Sequence, residues 1–227
     1  MNKIRDKLLT VGTKIKQFSA KYGIGKSGVQ LLAVSKRHPA DLIREAYQAG
    51  QIAFGENYAQ EMLDKAALLK DLEIEWHFIG PLQSNKTKGI AETAHWVHTI
   101  ERLKIAKRLN SQRPDTLPPL NICIQINIDE EDTKSGIHLK DLNTIAAEIS
   151  QLNNLRLRGL MAIPAPETDF LKQRQSFSKV KQAYDGLIEQ GFVLDTLSMG
   201  MSNDMEAAIA EGATIVRIGT AIFGKRD

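Results

Sequence analysis

Residues 194–224, LDTLSMGMSNDMEAAIAEGATIVRIGTAIFG, contain two β-rich runs separated by one short helical pattern. The first run passes through a turn rich in small and polar residues into MEAAIAEG, and the second run begins at Thr214. A strand, a helix and a second strand in this order form the unit from which parallel sheets are built. The stretch therefore predicts a parallel α/β fold.

Further β-rich runs precede this stretch, with helical patterns between them. They are LLAVS from Leu31, QIAFG from Gln51, WHFIG from Trp76, WVHTI from Trp96, NICIQIN from Asn121 and LRGLMAI from Leu157. Eight strands that alternate with helices are what a parallel barrel requires. The alternative is a doubly wound open sheet, which usually carries a glycine-rich turn after its first strand, and residues 35–39 contain no glycine. We therefore predict a single (β/α)8 TIM barrel.

The residues before the first strand predict an extra N-terminal helix. Residues 1–23 lack the continuous apolar core of a signal peptide. Their apolar side chains at helical spacing are Ile4, Leu8, Val11, Ile15 and Phe18. Because no shift in composition and no linker divides the rest of the chain, we predict one domain over residues 1–227.

Composition and charge argue against several classes of protein. The 227 residues are 42% hydrophobic and 25% charged, and 30 basic residues are scattered among 27 acidic ones. This balance gives no electrostatic footprint for nucleic acid or an anionic membrane, and no apolar run is long enough to span a bilayer. The single cysteine, Cys123, cannot form an intrachain disulfide and lies in an alternating apolar run. We expect a reducing, cytoplasmic location.

Lys36 follows the first predicted strand, at the end of the barrel where such folds build their sites. Because it lies two residues after Val34, the two side chains are expected on the same face. A single lysine at the end of a strand is more often a solvated charge. A functional role for Lys36 therefore requires partners from elsewhere in the chain.

Candidate partners follow the last two strands, where barrels commonly bind phosphate. Met201 and Ser202 lie in the turn that enters the helical pattern MEAAIAEG, and amide groups at such a helix start favour an anion. Strand eight supplies Arg217, whose guanidinium can reach a ligand ring, Gly219, which allows close backbone approach, and Thr220, which adds a donor. A helix cap or a turn explains each motif alone, whereas their occurrence together favours a ligand site.

A lysine, a phosphate-binding turn and an arginine facing a pyridine nitrogen are the parts of a pyridoxal 5'-phosphate (PLP) site. The motifs LLAVSK, FGENYAQE, HFIGPLQSNK, LMAIP and residues 198–224 together resemble the pyridoxal phosphate homeostasis protein family. Members of that family are fold type III PLP-binding barrels related to the N-terminal domain of alanine racemase. The resemblance extends over residues 31–224, and no single motif carries it.

The resemblance implies a Schiff base between PLP and Lys36, with phosphate contacts after the last two strands and Arg217 at the pyridine nitrogen. Met161 is a candidate ring contact, although an ordinary core methionine explains it equally well. The implied cofactor-binding residues are Lys36, Asn57, Met161, Met201, Ser202, Arg217, Gly219 and Thr220. The implied function is intracellular PLP homeostasis, in which the protein carries or buffers PLP and PLP-dependent apoenzymes receive it.

The same site predicts a weak catalyst. Arg217 can only donate hydrogen bonds, so it would keep the pyridine nitrogen unprotonated and weaken the electron sink of the ring. In the racemases resembled here, a second acid/base tyrosine comes from an additional β domain of the partner subunit, and only three residues follow Gly224. We therefore expect a monomeric, non-catalytic carrier. Tyr58 is the one candidate for a substitute base, but packing at a helix start is the favoured role.

Two other functions stay open at this point. One is a PLP-dependent amino-acid racemase or lyase of narrow specificity. The other is a sugar-phosphate enzyme that uses Lys36 to form an aldolase-type imine.

Two groups of residues have no assigned ligand. In the segment 77–88, HFIGPLQSNKTK, the side chains of Gln83, Asn85, Lys86 and Lys88 fit either ligand or partner contacts or a solvated loop. The histidines do not predict a metal site. His95 and His98 are an odd number of residues apart in one strand and are expected to face opposite ways.

Overall fold

Parallel strands close the fold into a barrel. The computed structural model describes residues 3–25, 28–129 and 135–224. Within them eight strands pair in chain order, and the last strand pairs with the first, which confirms the predicted (β/α)8 barrel. The strands are β1 Gln30–Val34, β2 Ala53–Glu56, β3 Glu75–Phe78, β4 Trp96–Ile100, β5 Leu120–Gln125, β6 Leu155–Met161, β7 Thr196–Ser198 and β8 Ile215–Ile218.

Helices connect the strands on the outside of the barrel. They are α1 Lys3–Lys21, α2 Ala40–Gln48, α3 Ala59–Leu68, α4 Thr87–Thr93, α5 Leu103–Gln112, α6 Leu142–Ser150, α7 Phe170–Glu189, α8 Met205–Ala210 and α9 Thr220–Phe223. Short 3-10 turns, Ser84–Lys86 and Leu139–Asp141, lead into α4 and α6. In the described part of the chain, no helix combines the length and the apolar character that a bilayer crossing needs.

The predicted N-terminal helix is present and packs outside the part of the barrel where the last strand pairs with the first. Its apolar face is buried against the main core. Helix α1 packs against α8 and α9, which flank the last strand. Two side chains at its end, Lys21 and Tyr22, donate to the Glu206 carboxylate at 2.8 and 3.0 Å. These contacts place α1 directly behind the turn between β7 and α8.

The main hydrophobic core lies between the strands and the surrounding helices, as parallel sheets require. Alternate residues of the strands face the barrel interior, where two small apolar clusters lie. One contains Leu32, Val34, Ala53, Ile79 and Ile215, and the other contains Trp96, Cys123 and Met161. Cys123 is fully buried, and burial raises the pKa of its thiol to about 12. Its thiolate is therefore scarce at neutral pH.

The last β-rich run, which begins at Thr214, does not form one continuous strand. Strand β8 ends at Ile218, and Thr220–Phe223 form one helical turn instead of continuing the strand. The carbonyl of Gly219 accepts hydrogen bonds from the amides of Ile222 and Phe223 at 2.9 Å each. These local bonds replace the ladder partners that a longer strand would need.

Candidate functional site

A cavity of about 950 Å³ opens at the carboxyl ends of the strands, the end at which barrels of this type build their sites. Most of the residues predicted from the sequence border it. These are Lys36, Asn57, Met201, Ser202, Arg217, Gly219 and Thr220. The cavity therefore brings together residues that are far apart in the chain.

Lys36 lies in the turn that follows β1, and it borders the cavity together with Val34, as the alternation predicts. Its side chain is half-buried. The next residue, Arg37, has a φ of 61°, a left-handed backbone conformation that is uncommon for a residue with a side chain. The amide of Arg37 donates to Glu61 Oε1 at 2.6 Å. This bond holds the turn that carries Lys36.

A buried ion cluster supports the same turn from below. Lys65 Nζ contacts Glu56 Oε1 and Glu61 Oε1, each at 2.7 Å, and donates to the carbonyl of Ser35 at 2.8 Å. The hydroxyl of Ser35 also donates to Glu56 Oε1 at 2.7 Å. Burial raises the pKa of Glu56, while the adjacent Lys65 opposes that shift. The cluster ties β1, β2 and α3 together beside Lys36.

The turn between β7 and α8 provides amide groups at the cavity. Asp204 Oδ1 accepts from the amide of Met201 at 2.5 Å and so closes the turn. The amides of Ser202 and Asn203 have no acceptor within the described residues. Because these two amides lie just before a helix, they favour an anion. The predicted phosphate contact Ser202 therefore lies beside donors that a phosphate can use.

The second predicted anion contact lies between β8 and α9. A Cβ atom added at Gly219 would lie 3.0 Å from the carbonyl of Val34 and 3.4 Å from its Cβ. The absence of a side chain thus keeps β8 close to β1 at the mouth. Thr220 is the first residue of α9 and is exposed to the cavity.

Arg217 is buried at the floor of the cavity, with 4% of its surface exposed. Its Nη1 donates to the carbonyl and hydroxyl oxygens of Ser198 at 2.6 and 3.0 Å. Its Nη2 donates to the carbonyl of Ala162 at 3.0 Å. Burial lowers the pKa of Arg217 to about 10, so the guanidinium stays charged at neutral pH.

Asn57 borders the cavity at the end of β2. Its Oδ1 is buried and has no hydrogen-bond partner within the described residues. Gly80 packs against the same residue, because a Cβ atom there would lie 1.8 Å from the carbonyl oxygen of Asn57. The glycine of HFIGP therefore has a structural role, namely to let the β3 connection pass against Asn57.

Other predicted residues lie outside the cavity wall. Met161 is fully buried and packs with Trp96 and Cys123, an arrangement that fits the core role. Tyr58 precedes α3, is 46% exposed and accepts from Arg37 Nη2 at 3.1 Å.

Some residues of the segment 77–88 border the cavity, and others do not. Ile79 and Pro81 border the cavity. The polar side chains proposed as ligand contacts are absent from the described cavity wall; of these, Lys86 reaches Gln60 at 3.5 Å.

Sequence reasoning missed two groups of residues around this site. The first is the ion cluster of Glu56, Glu61 and Lys65, whose one sequence signal is the i,i+4 pair on α3. The second is a set of polar side chains inside the barrel, including His77 and His98, which are fully buried. Their signal was available, because a polar residue on an inward-facing strand position is unusual.

Comparison with known proteins identifies the family. Residues 14–227 match the family described as "Alanine racemase, N-terminal domain". The chain is 54% identical over 230 residues to the "Pyridoxal phosphate homeostasis protein" of Escherichia coli (strain K12), covering 100% of this chain and 98% of that relative. The chain belongs to the pyridoxal phosphate homeostasis protein family. The resemblance inferred from the sequence is confirmed.

Solved structures show how far the barrel of this pyridoxal phosphate homeostasis protein family is shared. PipY of Synechococcus elongatus PCC7942, whose structure has PLP bound, matches with a TM-score of 0.86 and 36% identity over 97% of this chain and 100% of that chain. Alanine racemase of Clostridium difficile 630 matches with a TM-score of 0.77 and 14% identity over 99% of this chain and 57% of that chain. The racemase thus shares the fold and contains further structure beyond it.

Proposed function

We propose that this protein binds PLP in the mouth cavity, carries it covalently on Lys36 and serves PLP homeostasis as a carrier or buffer. The observation that supports this most directly is that Lys36, Arg217 and the turns after β7 and β8 border one cavity. Family membership and the PLP bound to PipY support the same ligand. PLP supplies an aldehyde that condenses with an amine and releases water, and a ring that withdraws electrons.

Unpaired polar groups around the cavity fit this ligand. The buried Asn57 Oδ1 needs a donor, and the amides of Ser202 and Asn203 need an acceptor. Arg217 has five N–H groups, and its Nε–H and one Nη2–H have no acceptor in the described part of the chain. A phosphate at the turns and a ring nitrogen at Arg217 would give acceptors to these N–H groups, while Asn57 Oδ1 would require a donor from another part of the ligand. Buried polar groups are normally paired, so the unpaired state of the buried Asn57 Oδ1 favours a polar ligand, whereas the amides of the exposed Ser202 and Asn203 are simply open to one.

In the proposed site Lys36 forms the covalent link through Nζ, while Ser202, Gly219 and Thr220 hold the phosphate. Arg217 donates to the ring nitrogen and keeps it unprotonated, because a guanidinium that stays charged cannot accept a proton. An unprotonated ring is a weak electron sink, which favours storage over carbanion chemistry. The proposed role is therefore non-catalytic.

The size of the cavity supports transfer as well as storage. A volume of about 950 Å³ lies at the upper end of the range for sites that bind drug-sized ligands. It leaves room for an incoming amine beside the bound cofactor. We propose that cytoplasmic PLP-dependent apoenzymes receive PLP from the monomeric protein in this way.

Reduction with borohydride tests the ligand and the attachment residue together. After incubation with PLP and reduction, we expect a yellow protein to lose its colour and peptide mapping to find the label on Lys36. Lys36→Ala should take up no label. Lys107→Ala, an exposed lysine on α5, is the matched control and should label like the wild type. A protein that stays colourless with PLP would contradict the proposal and favour another phosphate ligand.

Exchange of the α-proton distinguishes a carrier from an enzyme. The loaded protein is incubated with amino acids in heavy water, and loss of the α-proton signal is followed by NMR. A carrier should give no exchange beyond that of free PLP at the same concentration. Sustained exchange at enzymatic turnover would reject the carrier and support a racemase or lyase.

A further inference from the structure

Hydrogen-bonded side chains cross the barrel interior below the cavity. Glu75 Oε1 lies 2.6 Å from His77 Nε2, and His77 Nδ1 lies 2.8 Å from His98 Nε2. His98 Nδ1 lies 2.7 Å from the Ser198 hydroxyl, which accepts from Arg217 Nη1 at 3.0 Å. The chain runs from β3 and β4 to β7 and β8, on the opposite side of the barrel.

The end groups give this chain a single direction. A guanidinium can only donate, and an ionised carboxylate can only accept. Since Ser198 Oγ accepts from Arg217, its own proton is available to His98 Nδ1, and His98 Nε2–H then donates to His77 Nδ1. His77 Nε2–H donates in turn to Glu75. Both histidines are therefore neutral, with the proton on Nε2.

The surroundings of the two histidines agree with this assignment. Burial lowers the pKa of His77 and lowers that of His98 well below its usual value, to which the charge of Arg217 adds. The hydrogen bond from His77 holds the pKa of Glu75 below its ordinary value. The ring of His77 stacks on Trp96, with centroids 5.5 Å apart and planes 5° apart, which fixes its orientation. The carboxylate of Glu75 is 36% exposed, at the start of β3.

The hydrogen-bond chain also compensates the buried charge of Arg217. This buried cation forms no ion pair within the described residues, and a charge in that position is costly unless hydrogen bonds compensate it. Ser198 takes both bonds from Nη1, and Ala162 takes one from Nη2. These bonds hold the guanidinium in place, and its two N–H groups that have no acceptor among the described residues remain available to the cavity.

We propose that Glu75, His77, His98 and Ser198 are positioning residues, which fix the Arg217 guanidinium through a one-directional hydrogen-bond chain. They set the edge that Arg217 presents to a ligand ring. The identity of that ring as PLP rests on the proposed function above. The hydrogen-bond chain is present in the ligand-free protein and can be tested without PLP.

The first test uses the ligand-free protein labelled with 15N at histidine. Long-range 1H–15N correlations distinguish the two neutral tautomers, and His77→Gln and His98→Gln variants assign two of the five histidines. We expect both histidines in the neutral Nε2–H form at neutral pH, with pKa values below that of an ordinary histidine. An Nδ1–H tautomer at either residue would overturn the directional chain. PLP takes no part in this measurement.

The second test uses PLP and breaks the chain next to Arg217. Ser198→Ala should weaken PLP binding about five- to tenfold and shift the absorption band of the bound cofactor, while borohydride still fixes the label on Lys36. Thr196→Val is the matched control, because Thr196 is buried on the same strand but its hydroxyl donates to Asp195 outside the chain. It should change neither quantity by more than twofold.

Further variants separate positioning from folding. His98→Leu should behave like Ser198→Ala, and His98→Gln should restore much of the affinity, because an amide retains a donor and an acceptor. If all variants bind PLP and give the wild-type spectrum, the positioning role is wrong. If the wild type does not bind PLP, the proposed function fails. The direction of the hydrogen-bond chain is then still decided by the tautomer measurement on the ligand-free protein.

Discussion

Arg37 is the one described residue other than glycine that has a positive φ, at 61°. Such a conformation costs on the order of 1 kcal/mol for a residue with a Cβ atom, and more when that atom is branched. We expect Arg37→Gly to raise the free energy of unfolding by about 0.5–1 kcal/mol and Arg37→Val to lower it by about 1 kcal/mol. Urea denaturation of the three proteins measures both changes. Equal stabilities for the two variants would show that the positive φ at residue 37 carries no measurable energetic cost.

Single residues at strand ends were predictable, and those that support them were not. Lys36, Ser202 and Arg217 were predicted because the ends of parallel strands meet at one mouth of a barrel. Lys65 was not predicted, since lysines are seldom buried and its burial depends on Glu56 from another element. The sequence shows charges, but the pairing that allows a charge to be buried is a tertiary property.

At the scale of elements, two glycines of the chain have opposite roles. Gly80 follows β3 where a Cβ atom would overlap the Asn57 carbonyl at 1.8 Å, whereas Gly186 on α7 has open space around it. Gly186→Ala should stabilise the protein by about 0.5–1 kcal/mol through helix propensity. Gly80→Ala should destabilise it by about 2 kcal/mol or more and weaken ligand binding, because Asn57 must move. Thermal unfolding and PLP titration of the pair test this contrast.

Strand and helix types followed from the sequence, while several strand boundaries did not, the end of β8 among them. Short β-rich runs predicted the strands, which are buried on both faces, and helical spacing of apolar residues predicted α1, which buries one face. The end of β8 was not predictable from composition, since TAIF is as apolar as a strand. Local bonds to the Gly219 carbonyl decide that boundary.

For the whole molecule, the polar barrel interior predicts loss of stability in mild acid. Burial lowers the pKa of His77 and His98 in the folded state, so as the pH falls through about 6.5 the unfolded chain binds protons more readily than the folded protein. The free energy of unfolding should fall by up to ~1.4 kcal/mol per pH unit for each histidine. Other charged groups face this pair, namely Glu75, His95 and Arg217.

Variants identify the contribution of one histidine to that slope. His98→Gln should reduce the slope between pH 6.5 and 5.5 by ~1 kcal/mol per pH unit in urea titrations at several pH values. Thr196→Val, a buried substitution on β7 that removes no titratable group, is the control and should leave the slope as it is. An unchanged slope in His98→Gln would mean that His98 accepts a proton in the folded protein.

The closed topology was predictable from the number of βα units, whereas the interior chain was not. His98 and Ser198 are 100 residues apart in sequence, and only the curvature of the closed sheet brings them within hydrogen-bond distance. No local pattern in either strand specifies the other as a partner. Barrel shape thus follows from repetition, but contacts across its axis depend on the three-dimensional register.

The pairing of β1 with β8 has a consequence for synthesis on the ribosome. The strand that precedes Lys36 is made early, and its neighbour with Arg217 is made last. Until β8 emerges, the nascent chain has an open edge, and the two halves of the cavity lie on opposite flanks of an incomplete sheet. The cavity between Lys36 and Arg217 is therefore complete only after β8 has been made and has paired with β1.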